Sequence, residues 1–183
     1  MVDRSQTNTA TLPSVRVDHA CFGCGKDNPN GLRLHFDLTD DGVVAPFVPQ
    51  PEHQGFDGIV HGGIISTVLD EAMAWATTSA GVWTVTAEMC VRFKRPLSVG
   101  ESTTVTARVA ENRRRIVAAS GKLTRDRDGA IVATATATFV RVSDAVAKAW
   151  DARYLGNWPS AASDLTESAR PNDPSSAIGG KPR

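Results

Sequence analysis

The segment HQGFDGIVHGG at residues 53–63 is rich in histidine and glycine and leads directly into a stretch with helical periodicity. Gly62 and Gly63 lie where that helix would begin. Glycine leaves the backbone N–H groups of a helix N-terminus uncovered, and the positive end of the helix dipole lies at the same place. The pair predicts a site that polarises a carbonyl oxygen, against the alternative of a tight turn that only requires glycine.

Asp70 is the candidate for the chemical step. Spacings of three, four and seven residues share one helix face, so Asp70 lies on a strip of small residues. The strip consists of Gly63, Ser66, Thr67, Asp70, Ala74 and Thr77. Because a solvated face usually carries Lys, Glu and Arg, we expect this one to pack against something and to desolvate the carboxylate, which favours a base or nucleophile. A capping or solvated Asp is the alternative, and Glu71, about 100° around the helix, is the weaker candidate.

Hydrophobic periodicity predicts the elements that would position these residues. Apolar residues recur at helical spacing from Ile65 to Ala76 and predict one amphipathic helix of about four turns. Alternating apolar and polar residues predict strands at residues 32–38, 43–48, 85–93, 103–109, 116–124 and 131–142. One long helix among antiparallel strands indicates an α+β domain with the helix across one face of the sheet.

Composition and charge favour an ordinary globular chain. The 183 residues are 41% hydrophobic, with 20 Lys and Arg against 20 Asp and Glu. No apolar run is long enough for a bilayer, no secretory signal is recognisable, and three cysteines suit a reducing compartment. We therefore expect a cytoplasmic protein with neither a nucleic-acid nor a membrane partner.

The two ends are poorer in apolar residues than the middle of the chain. Pro, Ser and Gly are frequent in residues 156–183, which cannot bury enough apolar area to offset the entropy of ordering. We expect a flexible N-terminal segment at residues 1–16, a folded domain at residues 17–143, and a mostly disordered C-terminal extension at residues 144–183.

Several features together resemble one known family, the PaaI-type, HGG-motif branch of the hotdog-fold acyl-CoA thioesterases. They are the His61-Gly62-Gly63 turn, Asp70 nine residues after His61, the strand end Phe93-Lys94-Arg95-Pro96, and the segments CFGCG at 21–25 and NPNGL at 28–32. The resemblance covers roughly residues 21–142. It implies a hotdog fold, in which a curved antiparallel sheet wraps a long central helix, and a homodimer or dimer of dimers.

The resemblance also implies an activity, the hydrolysis of an acyl-CoA thioester. Asp70 would activate water or attack the carbonyl, and the Gly62 and Gly63 amides would polarise that carbonyl. His61 would shape the turn and contact the thioester, and Thr86 would orient the carboxylate or the water. In this family the turn comes from one protomer and the Asp from the other. No cofactor is implied, because coenzyme A enters as part of the substrate.

Other residues are expected to contact the substrate. Many relatives carry Asn where this chain has Gly55, so we expect the neighbouring Gln54 to supply the side-chain amide that contacts the substrate at this position. Thr67, on the same helix face as Asp70, is a further candidate for substrate contact. Residues 92–127 contain ten Lys or Arg against three Asp or Glu, which suits the phosphates of coenzyme A. The candidates are Arg92, Lys94, Arg95, Arg113, Arg114 and Arg115, with solvated rim charges as the alternative. Candidates for an apolar acyl tunnel are Phe56, Met73, Trp75 and Trp83.

Three alternatives remain open on the residues alone. A zinc site could be assembled from His19, Cys21, Cys24 and Cys90, but no second C-x-x-C or C-x-x-H pair is present, and we expect no metal. A hotdog dehydratase or hydratase on acyl thioesters would require His53 or His61. A non-catalytic acyl-CoA-binding module would bind the thioester without turnover.

Overall fold

A computed structural model of the protein describes residues 18–155. The expected flexible segment at residues 1–16 and the extension from residue 156 onward lie outside the described residues.

In chain order the elements are β1 (Asp37–Thr39), β2 (Gly42–Phe47), β3 (Gln54–Phe56), β4 (Ile59–Val60), α1 (Gly62–Ser79), β5 (Thr84–Phe93), β6 (Thr103–Asn112), β7 (Ile116–Arg125), β8 (Ile131–Arg141) and α2 (Asp144–Trp150). Six strands form one antiparallel sheet in the order β1-β2-β6-β7-β8-β5, and β3 pairs with β4 in a separate hairpin. The predicted α+β class is confirmed.

Helix α1 lies across the sheet and forms the centre of the core. All of its predicted apolar positions are buried, namely Ile65, Val68, Leu69, Ala72, Met73 and Ala76. Large apolar side chains of the sheet pack in the same core, including Val105, Val117, Leu123 and Phe139. Each such side chain stabilises the fold by about 1.5–3 kcal/mol. The helix has 18 residues, about five turns and therefore one more than expected. Within residues 18–155 no helix is long and apolar enough to cross a membrane.

The strand predicted at residues 32–38 is wrong in its extent. Only the last part, β1, pairs with β2. Leu34 is buried, as the alternation predicts, but its N–H donates to the Gly23 carbonyl at 2.9 Å rather than to a strand. The alternation in residues 32–36 therefore reflects burial against the core. Their backbone hydrogen bonds go to the loop at residues 22–23 and not to a neighbouring strand.

Strand β5 contains a β-bulge that reverses its predicted alternation. Thr86 pairs with Phe139 and Glu88 with Thr138, so Ala87 is an extra residue without a partner on β8. A bulge shifts the side-chain phase by one residue. Thr86 consequently faces α1, as Met89 does after the bulge, whereas the sequence pattern placed these two side chains on opposite faces.

The structure adds a hairpin and a second helix that were not predicted. The β3–β4 hairpin is joined to the segment after β5, where the Val60 N–H donates to the Leu97 carbonyl at 2.9 Å. Residues 144–155, part of the expected C-terminal extension, form α2 and one turn of π-helix. They lie against Trp83, whose ring meets Trp150 edge-on at 5.6 Å and whose Nε1 donates to Asp151 at 2.7 Å.

Candidate functional site

The turn before α1 is closed by a histidine cap. His61 is the N-cap residue, and its Nδ1 accepts a hydrogen bond from the Gly63 N–H at 2.8 Å. The expectation that both glycine amides are uncovered is therefore wrong for Gly63, because the extended backbone of His61 lets its ring fold back over the turn. Gly62 is the first helical residue, so its N–H has no acceptor within the helix. With Nδ1 accepting, the proton of the neutral His61 ring lies on Nε2, which can donate a hydrogen bond.

A cavity of about 310 Å³ opens beside this turn. Its lining includes Gly62 from the helix start and Lys94 and Arg95 from the end of β5. The Phe93 ring lies close to Gly62, at ordinary van der Waals distance from where a Cβ would stand. One uncovered amide and two cationic side chains thus surround the same space, an arrangement that can hold an anionic or polarised oxygen ligand.

Asp70 lies half-buried in the middle of α1. Its Oδ1 accepts a hydrogen bond from the Thr86 hydroxyl at 2.8 Å. The bulge at Ala87 gives Thr86 this orientation toward the helix. A carboxylate that is held by one donor keeps its second oxygen for a water molecule or a substrate.

The turn and the carboxylate lie far apart within one chain. Eight residues separate Gly62 from Asp70 along α1, a rise of about 12 Å. A base must approach within about 3 Å of the water or atom on which it acts. A thioester held at the Gly62 amide is thus poorly placed for the carboxylate of the same chain.

The remaining substrate candidates near the turn have structural partners. The side-chain Oε1 of Gln54 accepts the Gly58 N–H at 3.2 Å and closes the hairpin turn, which leaves the NH₂ group of the same side chain as a donor. A Cβ on Gly55 would lie 3.0 Å from the His61 ring, so glycine lets the hairpin pack against the cap. The Thr67 hydroxyl donates to the Gly63 carbonyl at 3.0 Å.

The predicted cations are not brought together in one chain. Lys94 and Arg95 follow the end of β5, whereas Arg113 and Arg114 lie in the β6–β7 turn beside the start of β5. Ten strand residues place these two groups about 30 Å apart. Arg113 also forms an ion pair with Glu111 at 2.6 Å, and Arg92 is an exposed residue of β5.

His53 has a structural position. It is buried, its ring stacks on Phe47, and its Nδ1 accepts the Gln50 N–H at 3.0 Å. Its carbonyl accepts the His61 N–H at 2.8 Å, which links the hairpin to the cap. A buried and hydrogen-bonded ring is a poor candidate for the catalytic histidine that a dehydratase would need.

Sequence reasoning missed the surroundings of Glu71. This side chain points away from Asp70 toward Cys21 and Cys24, and burial together with the nearby Cys21 raises its pKa to about 7. Trp75 and Trp83, two of the tunnel candidates, line a cavity beside it, while Met73 is fully buried in the core and Phe56 is exposed. Trp75, four residues after Glu71, could have indicated that Glu71 is enclosed, because that spacing brings two side chains together on a helix.

Comparison with known proteins connects these features to one superfamily. The sequence pattern of the Thioesterase superfamily matches residues 57–132, which include the turn, Asp70 and Thr86. Human acyl-coenzyme A thioesterase 13 is 28% identical over 93 residues, which are 50% of this chain and 66% of that protein, just under two thirds of its length.

Two solved structures share the fold. The E. coli PaaI protein from the phenylacetic acid degradation operon superposes with a TM-score of 0.57 at 22% identity, over 61% of this chain and 81% of that one. Protein smu.793 of Streptococcus mutans UA159, bound to acetyl CoA, superposes with a TM-score of 0.57 at 20% identity, over 60% and 89%. Residues 57–132 thus resemble the thioesterase superfamily in sequence, and the chain shares the hotdog fold of these two solved structures.

Proposed function

We propose that the protein hydrolyses an acyl-CoA thioester to a free carboxylic acid and CoA. The observation that carries the proposal is the half-buried Asp70 carboxylate, held at 2.8 Å by the Thr86 hydroxyl on the small-residue face of α1. The name of the human relative, an acyl-coenzyme A thioesterase, and the acetyl CoA bound to the Streptococcus mutans protein support this substrate class.

The mechanism divides between the turn and the carboxylate. The Gly62 N–H and the Nε2–H of His61 would donate to the thioester carbonyl oxygen and stabilise the negative charge that develops there. Asp70 would take a proton from a water molecule that adds to the carbonyl carbon, or would itself attack that carbon. In either route the C–S bond breaks, the sulfur leaves as CoA thiolate and takes up a proton, and water supplies the oxygen of the acid. The reaction needs no cofactor besides the CoA of the substrate.

We further propose that the site forms between two copies of the chain. Strand β5 ends the sheet, pairs only with β8 among residues 18–155, and exposes Val85 and Phe93 to about half. A long free edge of this kind is suited to antiparallel pairing with a second β5. Such pairing would bring the carboxylate of one copy toward the turn of the other.

The same pairing would assemble the cations. In an antiparallel β5–β5 pair, the end of one strand meets the start of the other. Lys94 and Arg95 of one copy would then share an end of the joined sheet with Arg113 and Arg114 of the second copy. Together they would form one basic surface for the CoA phosphates.

We propose that the protein works in the cytoplasm. The three cysteines carry free thiols, which supports a reducing compartment. With no net charge, the chain has no overall electrostatic attraction for nucleic acid or membrane surfaces. We also propose residues 17–143 as the catalytic domain.

The experiment is thiol release from a panel of acyl-CoAs by wild type and the D70N variant. Asn keeps the shape of the side chain and its acceptor for Thr86 but removes the base, so we expect kcat to fall by about 100-fold or more with KM little changed. The matched control is D40N, at an exposed position in the β1–β2 turn, which should keep wild-type rates.

Other outcomes identify the alternatives. Substantial hydrolysis by D70N would contradict the assignment of Asp70. Tight acyl-CoA binding by wild type without thiol release from any member of the panel would indicate a binding module. Hydration of an enoyl-CoA without hydrolysis would indicate a hydratase.

A further inference from the structure

A second group of reactive side chains lies about 100° around α1 from Asp70. Cys21 and Cys24 come from the loop before β1, and Glu71 comes from the helix, fifty residues after Cys21. One ligand atom from each, two Sγ atoms and a carboxylate oxygen, all lie within 4.8 Å of one another. The Cys21 Sγ lies 3.8 Å from both oxygens of Glu71. Ligands of a tetrahedral Zn²⁺ stand about 3.6 Å apart for one sulfur and one oxygen, so the cluster is close to the required spacing.

The cysteine loop has the form of a metal-binding knuckle. The Gly25 N–H donates to the Cys21 carbonyl at 3.0 Å, which closes a turn around Cys21 and Cys24. Gly23 and Gly25 are needed for this path, because a side chain at Gly23 would collide with the Glu71 carboxylate and one at Gly25 with the backbone of His19 and Cys21.

Surrounding groups hold the three side chains in place. Trp75 donates from Nε1 to a Glu71 oxygen at 3.1 Å, and the His19 Nδ1 accepts the Cys21 N–H at 3.3 Å. Hydrogen bonds of this kind orient metal ligands before the ion arrives. The Leu34 N–H, bonded to the Gly23 carbonyl, joins the loop to the core.

The residues that line the cavity beside the cluster supply no cationic Lys or Arg side chain as a counterion. Two thiolates and a carboxylate would place three negative charges in a largely buried site, where unpaired charge is costly. The adjoining cavity of about 240 Å³ is lined by His19, Cys21, Cys24, Glu71, Ala74, Trp75, Thr78, Trp83, Thr84, Trp150 and Tyr154, with no Lys or Arg. A divalent cation bound between these three side chains would neutralise most of that charge.

We propose that Cys21, Cys24 and Glu71 bind a Zn²⁺ ion whose fourth coordination position faces the cavity. Two sulfurs and one oxygen suit zinc and not Mg²⁺ or Ca²⁺, which require oxygen ligands. The ion fastens the N-terminal loop to α1 at the residue next to Asp70. It thus stabilises the helix segment that carries the catalytic carboxylate and takes no part in the proposed hydrolysis.

The test is metal content and Co²⁺ spectroscopy of the reduced full-length protein. We expect about one Zn²⁺ per chain after purification without chelator, and thiolate-to-cobalt charge-transfer absorption when Co²⁺ replaces it. The C21S/C24S variant should lose both signals, and C90S, which changes the exposed cysteine of β5, should keep both. Chelation should lower the Tm of wild type by about 5 °C or more and leave that of C21S/C24S unchanged.

Glu71→Gln separates the third ligand from the two thiols. It keeps both cysteines and the size of the side chain, so the charge-transfer band should persist while Co²⁺ affinity falls at least about tenfold. If E71Q and wild type bound Co²⁺ with equal affinity, Glu71 would not be a ligand and the proposed three-residue site would be wrong. This comparison tests the proposal even if C21S/C24S does not fold.

Two results would overturn the whole proposal. One is the absence of thiolate-to-cobalt absorption in the reduced wild type. The other is recovery of Cys21 and Cys24 as an intramolecular disulfide from cells lysed in an alkylating agent, which would mark a redox pair. Neither readout depends on thioesterase activity.

Discussion

Asp70 and Glu71, two consecutive carboxylates on α1, have different surroundings and therefore different proposed roles. A step of one residue turns about 100° around a helix, so Asp70 faces Thr86 on β5 while Glu71 faces the cysteine loop. Asp70 is half-buried and keeps an oxygen free for chemistry. The Glu71 carboxylate is surrounded by two sulfurs and an indole N–H. Sequence spacing identified the role of Asp70 but not the surroundings of Glu71, because Cys21 lies fifty residues before Glu71 in the chain.

Thr86 is a positioning residue for Asp70, and its hydroxyl can be removed with little change in shape. In T86V the carboxylate loses the hydroxyl donor that it has among residues 18–155, so we expect kcat to fall by about tenfold with KM unchanged. T86S restores a hydroxyl and should recover most of the rate. Steady-state thiol release from the preferred acyl-CoA measures both parameters.

The matched control for T86V is T136V, at an exposed threonine of β8. It makes the same change of type on the same sheet away from Asp70, and should leave kcat unchanged. If T86S were as slow as T86V, the loss of rate would come from the packing of the Thr86 methyl group or from a change in the strand. The hydroxyl would then have no role in positioning Asp70.

At the scale of elements, the turn before α1 combines a helix cap with a substrate site. His61 accepts the Gly63 N–H through Nδ1, and we propose that its Nε2–H donates to the thioester carbonyl. Asn reproduces the first function, because its side-chain oxygen occupies the position of Nδ1 and Asn is a favourable N-cap. It has no counterpart of Nε2.

We therefore expect H61A and H61N to differ in stability and to agree in activity. H61A should lose about 1 kcal/mol of unfolding free energy, about 3 °C in Tm, whereas H61N should stay near wild type. Both should lose kcat through the missing donor to the carbonyl oxygen. Thermal unfolding and thiol release on the same samples measure the two effects. Wild-type rates in H61N would restrict His61 to capping.

The helix and the long strands could be predicted from the sequence, because their apolar periodicity follows directly from burial on one face. The bulge at Ala87 could not, since it has no residue signature, and it decides which way Thr86 faces. The cap at Gly63 was missed for a similar reason: it depends on a side-chain conformation of His61. The alternation at residues 32–38 predicted burial correctly and pairing incorrectly, because a strand also requires a neighbour.

At the scale of the whole molecule, the two halves of the proposed site do not meet within one chain. The Gly62 turn with Lys94 and Arg95 lies about 12 Å along α1 from Asp70, and the free edge of β5 gives a second copy a place to pair. The proposed pairing would give a function to the free outer edge of this ten-residue strand.

Mixing two inactive variants tests whether the halves belong to different copies. D70N lacks the base, and G62P lacks the amide donor at the first helical position, where proline is tolerated and where the extended backbone of His61 suits a following proline. Each homodimer should be inactive. A mixed dimer would contain one site with both defects and one intact site, made from the Gly62 turn of the D70N chain and the Asp70 of the G62P chain.

Random mixing of equal amounts makes half of the dimers mixed, so co-expressed variants should regain about a quarter of wild-type activity per chain. Differently tagged chains, purified through both tags, should reach about half, since one of their two sites is intact. Co-expression of D70N with H61A should give a similar recovery, because that defect also lies in the turn. If the catalytic groups acted within one chain, every chain in these mixtures would carry a defect and no activity would return.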